Sequence, residues 1–230
     1  MIRKKDVIYW LAAFLPFVIT CAWMPFLKER VPIHYNAEGV VDQWGSKYMY
    51  FVICGVLVVV SFFFYWMYKY YDKKICESDK ETKKAESNSK VLYVVGIVVT
   101  VFECFILAFG LLGAYKDSEA GNVKSELDLF KILAIGFGIV CVFIGNYMPK
   151  LRKNKVIGIR ISFSMKNDKT WAVTHRYGGI FFVVGGLFMM LAGVILEQTA
   201  ALAAMLVILS LVILLSFVAA YRAYKLYGDE

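Results

Sequence analysis

The chain has 230 residues, of which 60% are apolar, and its mean hydropathy is +0.62. A soluble domain contains about 45–50% apolar residues, so a single water-soluble core is excluded and a bilayer is the expected solvent. A formal net charge of +8 would also fit nucleic acid. The basic residues lie between apolar runs, however, where membrane topology and anionic lipid headgroups explain them without direct nucleic-acid binding.

Six apolar segments are long enough to cross the roughly 30 Å of hydrocarbon in a bilayer. We therefore predict an all-α polytopic membrane protein. Its six transmembrane helices are expected at about 7–27, 48–68, 91–113, 129–148, 178–196 and 200–221. The first apolar run is too long for the apolar part of a signal peptide and is predicted to be retained.

The Lys and Arg residues predict the orientation of these helices, because cytoplasmic loops are enriched in them. With the N-terminus inside, the inner segments hold 20 Lys and Arg, and the outer segments hold 5. Both termini are therefore predicted to be cytoplasmic. The expected domains are a two-helix membrane domain, 1–70, with an outer loop at 28–47; a solvated cytoplasmic linker, 71–90; and a four-helix domain, 91–230, with a basic cytoplasmic loop at 149–177.

The first outer loop combines turn-forming, aromatic and hydrogen-bonding residues within a short stretch. Its segment 36–39, Asn-Ala-Glu-Gly, is typical of a turn in which glycine supplies a positive φ. The loop is either a recognition surface or an ordered cap with its aromatic residues at headgroup level. The candidate ligand-binding residues are His34, Tyr35, Asn36, Gly39, Asp42, Trp44 and Lys47.

Within the spans, one ionisable residue and a set of glycines stand out. Glu103 lies near the middle of the third span, where an ionisable group costs roughly 3 kcal/mol and usually faces a bundle interior or water. It is either a proton or ion site or a glutamic acid bonded to a neighbouring helix. The glycines predict close packing of helices in lipid. They are Gly179, Gly186 and Gly193 in the fifth span and Gly138 and Gly145 in the fourth.

The basic inner loop contains residue types that are not needed merely to keep a loop inside. Asn167 or Asp168 is predicted to cap a short helix that runs into the fifth span. Trp171, Thr174 and His175 then lie on one face of that helix. The alternative is a loop that serves only topology and interfacial anchoring. The candidate partner-binding residues are Asn146, Pro149, Lys150, Arg152, Asn154, Gly158, Arg160, Trp171, Thr174, His175 and Arg176.

These two loops together resemble the SdpI family of bacterial membrane proteins, the immunity proteins of the sporulation-delay toxin system. The first loop resembles that family's small N-terminal membrane domain of unknown function, matched at Pro32, His34, Tyr35, Asn36, Gly39, Gly45, Ser46 and Lys47. The second half is matched at the inner-loop candidates above and at Ile159 and Gly178. The chain departs at Ser162–Met165, where the family commonly has Pro-Trp-Thr-Leu.

The resemblance implies a multi-pass protein of the cell membrane in a Gram-positive type of bacterium. It implies that domain 91–230 is SdpI-like, and that the protein protects its cell against a secreted toxic peptide. It also implies signalling, in which a cytoplasmic transcriptional repressor is sequestered at the membrane. The expected partners are thus an extracellular toxic peptide, a repressor protein and anionic lipid headgroups.

Two other function classes fit the residues less well. An intramembrane hydrolase would need paired aspartates within spans or an HExxH motif, neither of which occurs, so no enzymatic activity is expected. The cysteines form no CxxC pair and the two histidines lie on opposite sides on this topology, so no metal or cofactor is expected. The remaining alternative is a transporter or exporter of a peptide or small molecule that uses Glu103.

Overall fold

The computed structural model describes residues 3–77, 82–120, 124–125 and 127–230. Within these ranges it contains six helices that are long and apolar enough to cross a membrane. The predicted all-α polytopic membrane fold is therefore confirmed. The helices are α1 (Lys4–Trp23), α2 (Met49–Glu77), α3 (Thr82–Ala120), α4 (Leu129–Tyr147), α5 (Asp168–Ile195) and α6 (Gln198–Tyr227).

The surface of the helix bundle is apolar, as lipid-facing helices require. In the most apolar stretch of each span, only 17% to 39% of the residues are buried inside the protein. Large apolar side chains such as Leu11, Val59 and Val194 point outward and are about two-thirds exposed. In water this surface would be an aggregation liability, whereas in a bilayer it is solvated by acyl chains.

The helices pack as two groups of three. Helices α1, α2 and α3 pack against one another, with α3 most extensively against α2, while α5 packs against both α4 and α6. The contact between α3 and α4 joins the two groups. The third helix, assigned from the sequence to the domain 91–230, thus contacts helices of both groups, and the domain division stays a prediction.

Glycines bring α4 and α5 into direct backbone contact. A Cβ atom on Gly138 would lie 2.5 Å from the carbonyl oxygen of Gly186, and one on Gly145 would lie 2.6 Å from that of Gly179. A side chain at any of these positions would force the helices apart. The glycine pattern predicted close packing, and the two glycine faces indeed meet each other.

The outer loop contains a β-hairpin that the sequence reading described only as a loop with a turn. Strand β1 (Arg30–Tyr35) pairs antiparallel with β2 (Val41–Ser46), with irregular register on either side of His34. Val31 is fully buried in a cluster of apolar residues from the ends of α2 and α3. The hairpin is thereby held against the helices at its first strand.

Two of the helices extend well beyond the apolar spans. The segment 71–90, expected to be a solvated linker, is helical over 71–77 and 82–90. The reason is that Lys, Glu and Ala are strong helix formers, and that Tyr71 and Ala85 are buried in one apolar cluster. Residues 78–81 lie outside the described part of the chain.

The helix bundle has two ends, which differ in structure and charge. The hairpin end comprises residues 28–47, the C-terminus of α3 and the N-terminus of α6. The basic end comprises the C-terminus of α2, the N-termini of α3 and α5, and residues 150–167, which we call the basic loop.

Candidate functional site

The exposed polar feature of the hairpin is a pair formed by His34 and Asp42. The Nδ1 atom of His34 lies 2.6 Å from Oδ1 of Asp42, and the two side chains are 61% and 43% exposed. They project from facing strands, so the carboxylate orients the imidazole ring. A ring held through Nδ1 can offer its Nε2 to a ligand.

Tyr35, the residue after His34, turns inward instead. Its hydroxyl donates a hydrogen bond of 2.9 Å to Oδ2 of Asp117, a fully buried residue near the end of α3. Burial, together with the hydrogen bond to Asp117 and the negative charge of that residue, raises the pKa of Tyr35 above its ordinary value. The tyrosine therefore ties the hairpin to α3 as a neutral donor.

The turn of the hairpin is docked on α6. The Oδ1 atom of Asn36 accepts the backbone N–H groups of Glu38 and Val40 at 3.1 and 2.9 Å, which closes the turn. Gly39 has a φ of +73°, and a Cβ there would clash with the side chain of Gln198. Gln198 Nε2 in turn donates to the carbonyl oxygen of Glu38 at 3.0 Å. Asn36 and Gly39 thus build the turn rather than offer a binding surface.

The remaining hairpin candidates have structural contacts. Trp44 pairs with Pro32 across the hairpin and is partly buried. The ammonium group of Lys47 lies 3.0 Å from a carboxylate oxygen of Glu29 and 3.4 Å from the carbonyl oxygen of Leu27, and its side chain is only 14% exposed. Of the seven predicted residues, His34 and Asp42 are the most accessible.

At the basic end, Asn154 holds the basic loop together. Its Oδ1 accepts the backbone N–H groups of Val156 and Ile157, and its Nδ2 donates to the carbonyl oxygens of Arg152 and Ile157. The hydroxyl of Tyr71, on α2, also donates to Oδ1 at 3.2 Å. One buried amide therefore fixes four backbone polar atoms of a segment that has no regular secondary structure and ties that segment to α2.

Trp171 and His175 form a second fixed point under the basic loop. Their rings stack with centroids 3.9 Å apart. The indole N–H of Trp171 donates to the carbonyl oxygen of Leu151 at 2.9 Å. His175 Nε2 accepts the N–H of Ile159, so its proton is on Nδ1 and is donated to the carbonyl oxygen of Trp171. Gly158, with a φ of +113°, passes so close that a Cβ would lie 2.3 Å from His175 Nε2.

Part of the predicted inner-loop set is buried in this structure. Trp171, Thr174 and His175 do lie on one face of α5, and Asn167 caps the helix by accepting the N–H of Thr170 at 2.8 Å, as predicted. That face is buried, however, so the three side chains cannot touch a partner in this conformation. The reason is that the basic loop folds back over the first turns of α5.

The exposed members of the inner-loop set are those that remain available to a partner. They are Asn146, Pro149, Lys150, Arg152, Gly158, Arg160 and Arg176. Asn146, Pro149 and Arg176 line one shallow crevice between α4 and α5. The accessible face of this end is therefore predominantly cationic, which suits an acidic protein surface or phosphate groups.

Glu103 is half-buried between α2 and α3. Its carboxylate accepts a hydrogen bond of 3.3 Å from the hydroxyl of Ser61, which lies 3.0 Å from the hydroxyl of Thr100. A partner on a neighbouring helix is the arrangement expected of a glutamic acid that contributes to helix packing. The carboxyl group therefore has a hydrogen-bond partner, but the side chain is only partly buried.

The structure also presents residues that sequence reasoning missed. On the hairpin end they are Asp117 and Gln198, which receive the hairpin. On the basic end they are Lys74 and Lys84, which were assigned to a solvated linker. Helix propensity across 71–90 was the available signal, since a continued helix carries its lysines to a defined place.

In the described part of the chain, no cluster of His, Cys, Asp and Glu has the form of a metal site.

Comparison with known proteins confirms the family resemblance. Residues 150–220 match the SdpI/YfhL protein family, and residues 11–59 match a domain of unknown function, DUF1648. The chain is 21% identical over 222 residues to the immunity protein SdpI of Bacillus subtilis (strain 168), covering 96% of this chain and 97% of that protein. No solved structure matches the chain. The region 11–59 contains the hairpin, and the region 150–220 contains the basic loop.

Proposed function

We propose that this multi-pass membrane protein is an immunity protein of the cell membrane of a Gram-positive type of bacterium, and that it binds a secreted toxic peptide at its hairpin end. Its similarity to an immunity protein along nearly the whole chain supports an immunity role. The observation that carries the binding site is the exposed His34–Asp42 pair on a hairpin that is otherwise docked. The Lys and Arg distribution predicts that this end faces the outside of the cell.

The hairpin has the chemistry to bind a peptide. His34 and Asp42 supply hydrogen-bonding groups and a negative charge within a few ångströms. The partly exposed ring of Trp44 lies two positions after Asp42 on β2. Aromatic and hydrogen-bonding groups on a rigid support are typical of interface hot spots. A peptide that docks here meets a surface that needs little ordering on binding.

The same hairpin can pass a signal to the helices. Tyr35 connects it to α3 in the first helix group, and Gln198 and Thr199 connect its turn to α6 in the second. A toxin that binds one arrangement of the two groups better than another shifts the population toward it. The output we propose is capture of a cytoplasmic repressor protein by the exposed cations of the basic loop.

A second candidate function is supported by Glu103. A half-buried carboxyl group between α2 and α3, bonded to Ser61, has the form expected in a proton-coupled exporter of a peptide or small molecule. This candidate makes an opposite prediction. Glu103→Gln would abolish protection while peptide binding at the hairpin end persists.

A survival assay tests the proposal. A toxin-sensitive Gram-positive host would express the intact chain, His34→Ala, Glu103→Gln or the charge reversal of Arg152, Lys153 and Lys155, and would be challenged with a sporulation-delay toxin. Membrane levels would be matched by immunoblot. We expect protection by the intact chain and by Glu103→Gln, and its loss with His34→Ala. Full protection by His34→Ala would refute a binding site at the hairpin pair.

The charge reversal tests the output separately. We expect it to leave protection intact and to prevent co-purification of the repressor with membranes. Cysteine labelling from either side of the membrane would verify that the helices keep their orientation, since basic loops determine it. Repressor capture that survives the reversal would show that these cations are not the capture surface.

A further inference from the structure

We propose that a groove at the basic end binds the phosphate-bearing headgroup of an anionic phospholipid. The groove has a volume of about 500 Å³ and lies between the C-terminus of α2, the first turns of α3 and the basic loop. Each of its three walls contributes cations: Lys74 from α2, Lys84 from α3, and Lys153 and Lys155 from the loop. The groove shares Lys153 and Lys155 with the proposed repressor-binding surface, but lipid binding there goes beyond the immunity function and does not depend on it.

The charge of the groove is strongly unbalanced. Among its described lining residues, Asp168 is the acidic one, and its Oδ2 lies 2.9 Å from the ammonium group of Lys84. A neighbouring groove of about 330 Å³ shares Lys84, Lys153 and Asp168 and adds two further cations, Lys83 and Arg152. Like charges gathered in one concavity raise its potential, and a multivalent anion relieves that repulsion.

The floor of the groove is rigid, which separates it from an ordinary solvated run of charges. Asn88 is buried and its Oδ1 accepts the backbone N–H of Arg152 at 2.9 Å, fixing the loop to α3. Asn154 is buried beside it and binds both the loop backbone and the hydroxyl of Tyr71 on α2. The lysines therefore extend from backbone positions that are already fixed, so little ordering is lost on binding.

The depth of the groove in the membrane favours a lipid over a soluble ligand. The apolar part of α2 ends near residue 68 and that of α3 begins near residue 91. At 1.5 Å per residue, Lys74 and Lys84 lie about 9–10 Å beyond the hydrocarbon, a distance that their long side chains can reach back across to the headgroup layer. Tyr70 lines the groove and Trp66 lies one turn before it on α2; both are exposed, and exposed aromatic residues mark the membrane interface.

Lipid titration of the full-length chain tests the site. The purified chain in detergent micelles would be titrated with phosphatidylglycerol and with phosphatidylcholine of the same acyl chains, and bound lipid would be measured by native mass spectrometry. We expect a preference for phosphatidylglycerol that falls about tenfold or more in Lys84→Gln/Lys155→Gln, because each basic residue near the surface contributes substantially to binding of anionic lipid. The matched control, Arg160→Gln/Lys166→Gln, removes the same charge from the same end outside the groove and should change the preference less than about twofold.

A third variant has the opposite expected sign. Asp168→Asn removes the carboxylate that competes for Lys84, so affinity for phosphatidylglycerol should rise about threefold or more. Equal losses in the groove variant and its control, or an unchanged preference in the groove variant, would overturn the proposal.

Inorganic pyrophosphate and a poly-glutamate peptide are the competing probes. If either binds the intact chain while phosphatidylglycerol shows no preference over phosphatidylcholine, the ligand is soluble and the lipid assignment is wrong.

Discussion

The two ends of the bundle use the same device with opposite results. At each end, an asparagine side chain organises an irregular segment by accepting backbone N–H groups: Asn36 in the hairpin turn and Asn154 in the basic loop. At the hairpin end the segment that results is docked on helices of both groups and leaves one histidine–aspartate pair exposed. At the basic end it covers a buried tryptophan and histidine and leaves a cationic surface.

This difference shows that a motif residue can be important for two separate reasons. His34 and His175 both belong to the matched pattern, yet His34 is exposed and His175 is fully buried. We infer that His34 acts by touching a ligand and His175 by shaping the surface that others present. Substitutions that separate stability from function test this distinction at each end.

The largest expected effect is at Gly158. Valine there would have to adopt a φ of +113° and place its Cβ 2.3 Å from His175 Nε2. We expect Gly158→Val to lower the free energy of unfolding by about 4 kcal/mol, from backbone strain and overpacking together. Thermal unfolding of the reconstituted chain would measure it. The control is Gly55→Ala in α2, where a Cβ meets nothing within 4 Å and the change should be neutral or slightly stabilising.

A smaller loss is expected at Asn154. Asn154→Asp keeps the size of the side chain but replaces the donor that serves the carbonyl oxygens of Arg152 and Ile157 with an acceptor. Two facing acceptors should destabilise the basic loop by about 2–3 kcal/mol. Limited trypsin digestion at the loop would detect it as faster cleavage, whereas the exposed Asn146→Asp should leave the rate unchanged. Equal cleavage of the two variants would contradict the role of this amide.

At the hairpin end, Tyr35→Phe removes the hydrogen bond to Asp117 and should cost about 1.5 kcal/mol. The raised pKa of Tyr35 adds a pH dependence. Above pH about 10 the unfolded chain releases this proton and the folded chain keeps it, so the stabilisation is present below that pH and declines above it. Unfolding midpoints from pH 8 upward should fall more steeply for the intact chain than for Tyr35→Phe, with the exposed Tyr48→Phe as control. Parallel curves would show that Tyr35 is not a buried neutral donor.

The smallest effect on stability is expected at His34. Its pair with Asp42 is exposed to water, and exposed ion pairs contribute less than about 1 kcal/mol. His34→Ala should therefore unfold within a few degrees of the intact chain. His175→Ala, which leaves the N–H of Ile159 without its acceptor, should unfold at a clearly lower temperature. A large loss of stability with His34→Ala would mean that this pair is structural.

The fold was readable from the sequence where one physical signal dominated. Apolar length located the six helices, and the glycine spacing predicted close helix packing, of which the contact between Gly138 and Gly186 is an example. Asn167 was predicted as a cap because a polar residue precedes the helix at that position. Each of these signals is local, and neighbouring segments do not alter it.

The remaining features depend on contacts between distant segments. The hairpin was not predicted, because Pro32 and Gly45 weaken the strand pattern and only docking on α3 and α6 makes the pairing favourable. The basic groove was missed because Lys84 and Lys155 are far apart in sequence and meet only after 71–90 continues as helix. Burial of Trp171 likewise follows from the basic loop folding back, which a pattern of polar residues does not reveal.

The most direct test of the account is binding of a labelled sporulation-delay toxin to right-side-out membrane vesicles that contain the intact chain, His34→Ala or Lys84→Gln/Lys155→Gln. The account predicts saturable binding to the intact chain and the lysine variant, and its loss with His34→Ala at equal membrane levels and unchanged thermal stability. Binding that is equal for the intact chain and His34→Ala, or that occurs only in inverted vesicles, would contradict recognition at the hairpin end.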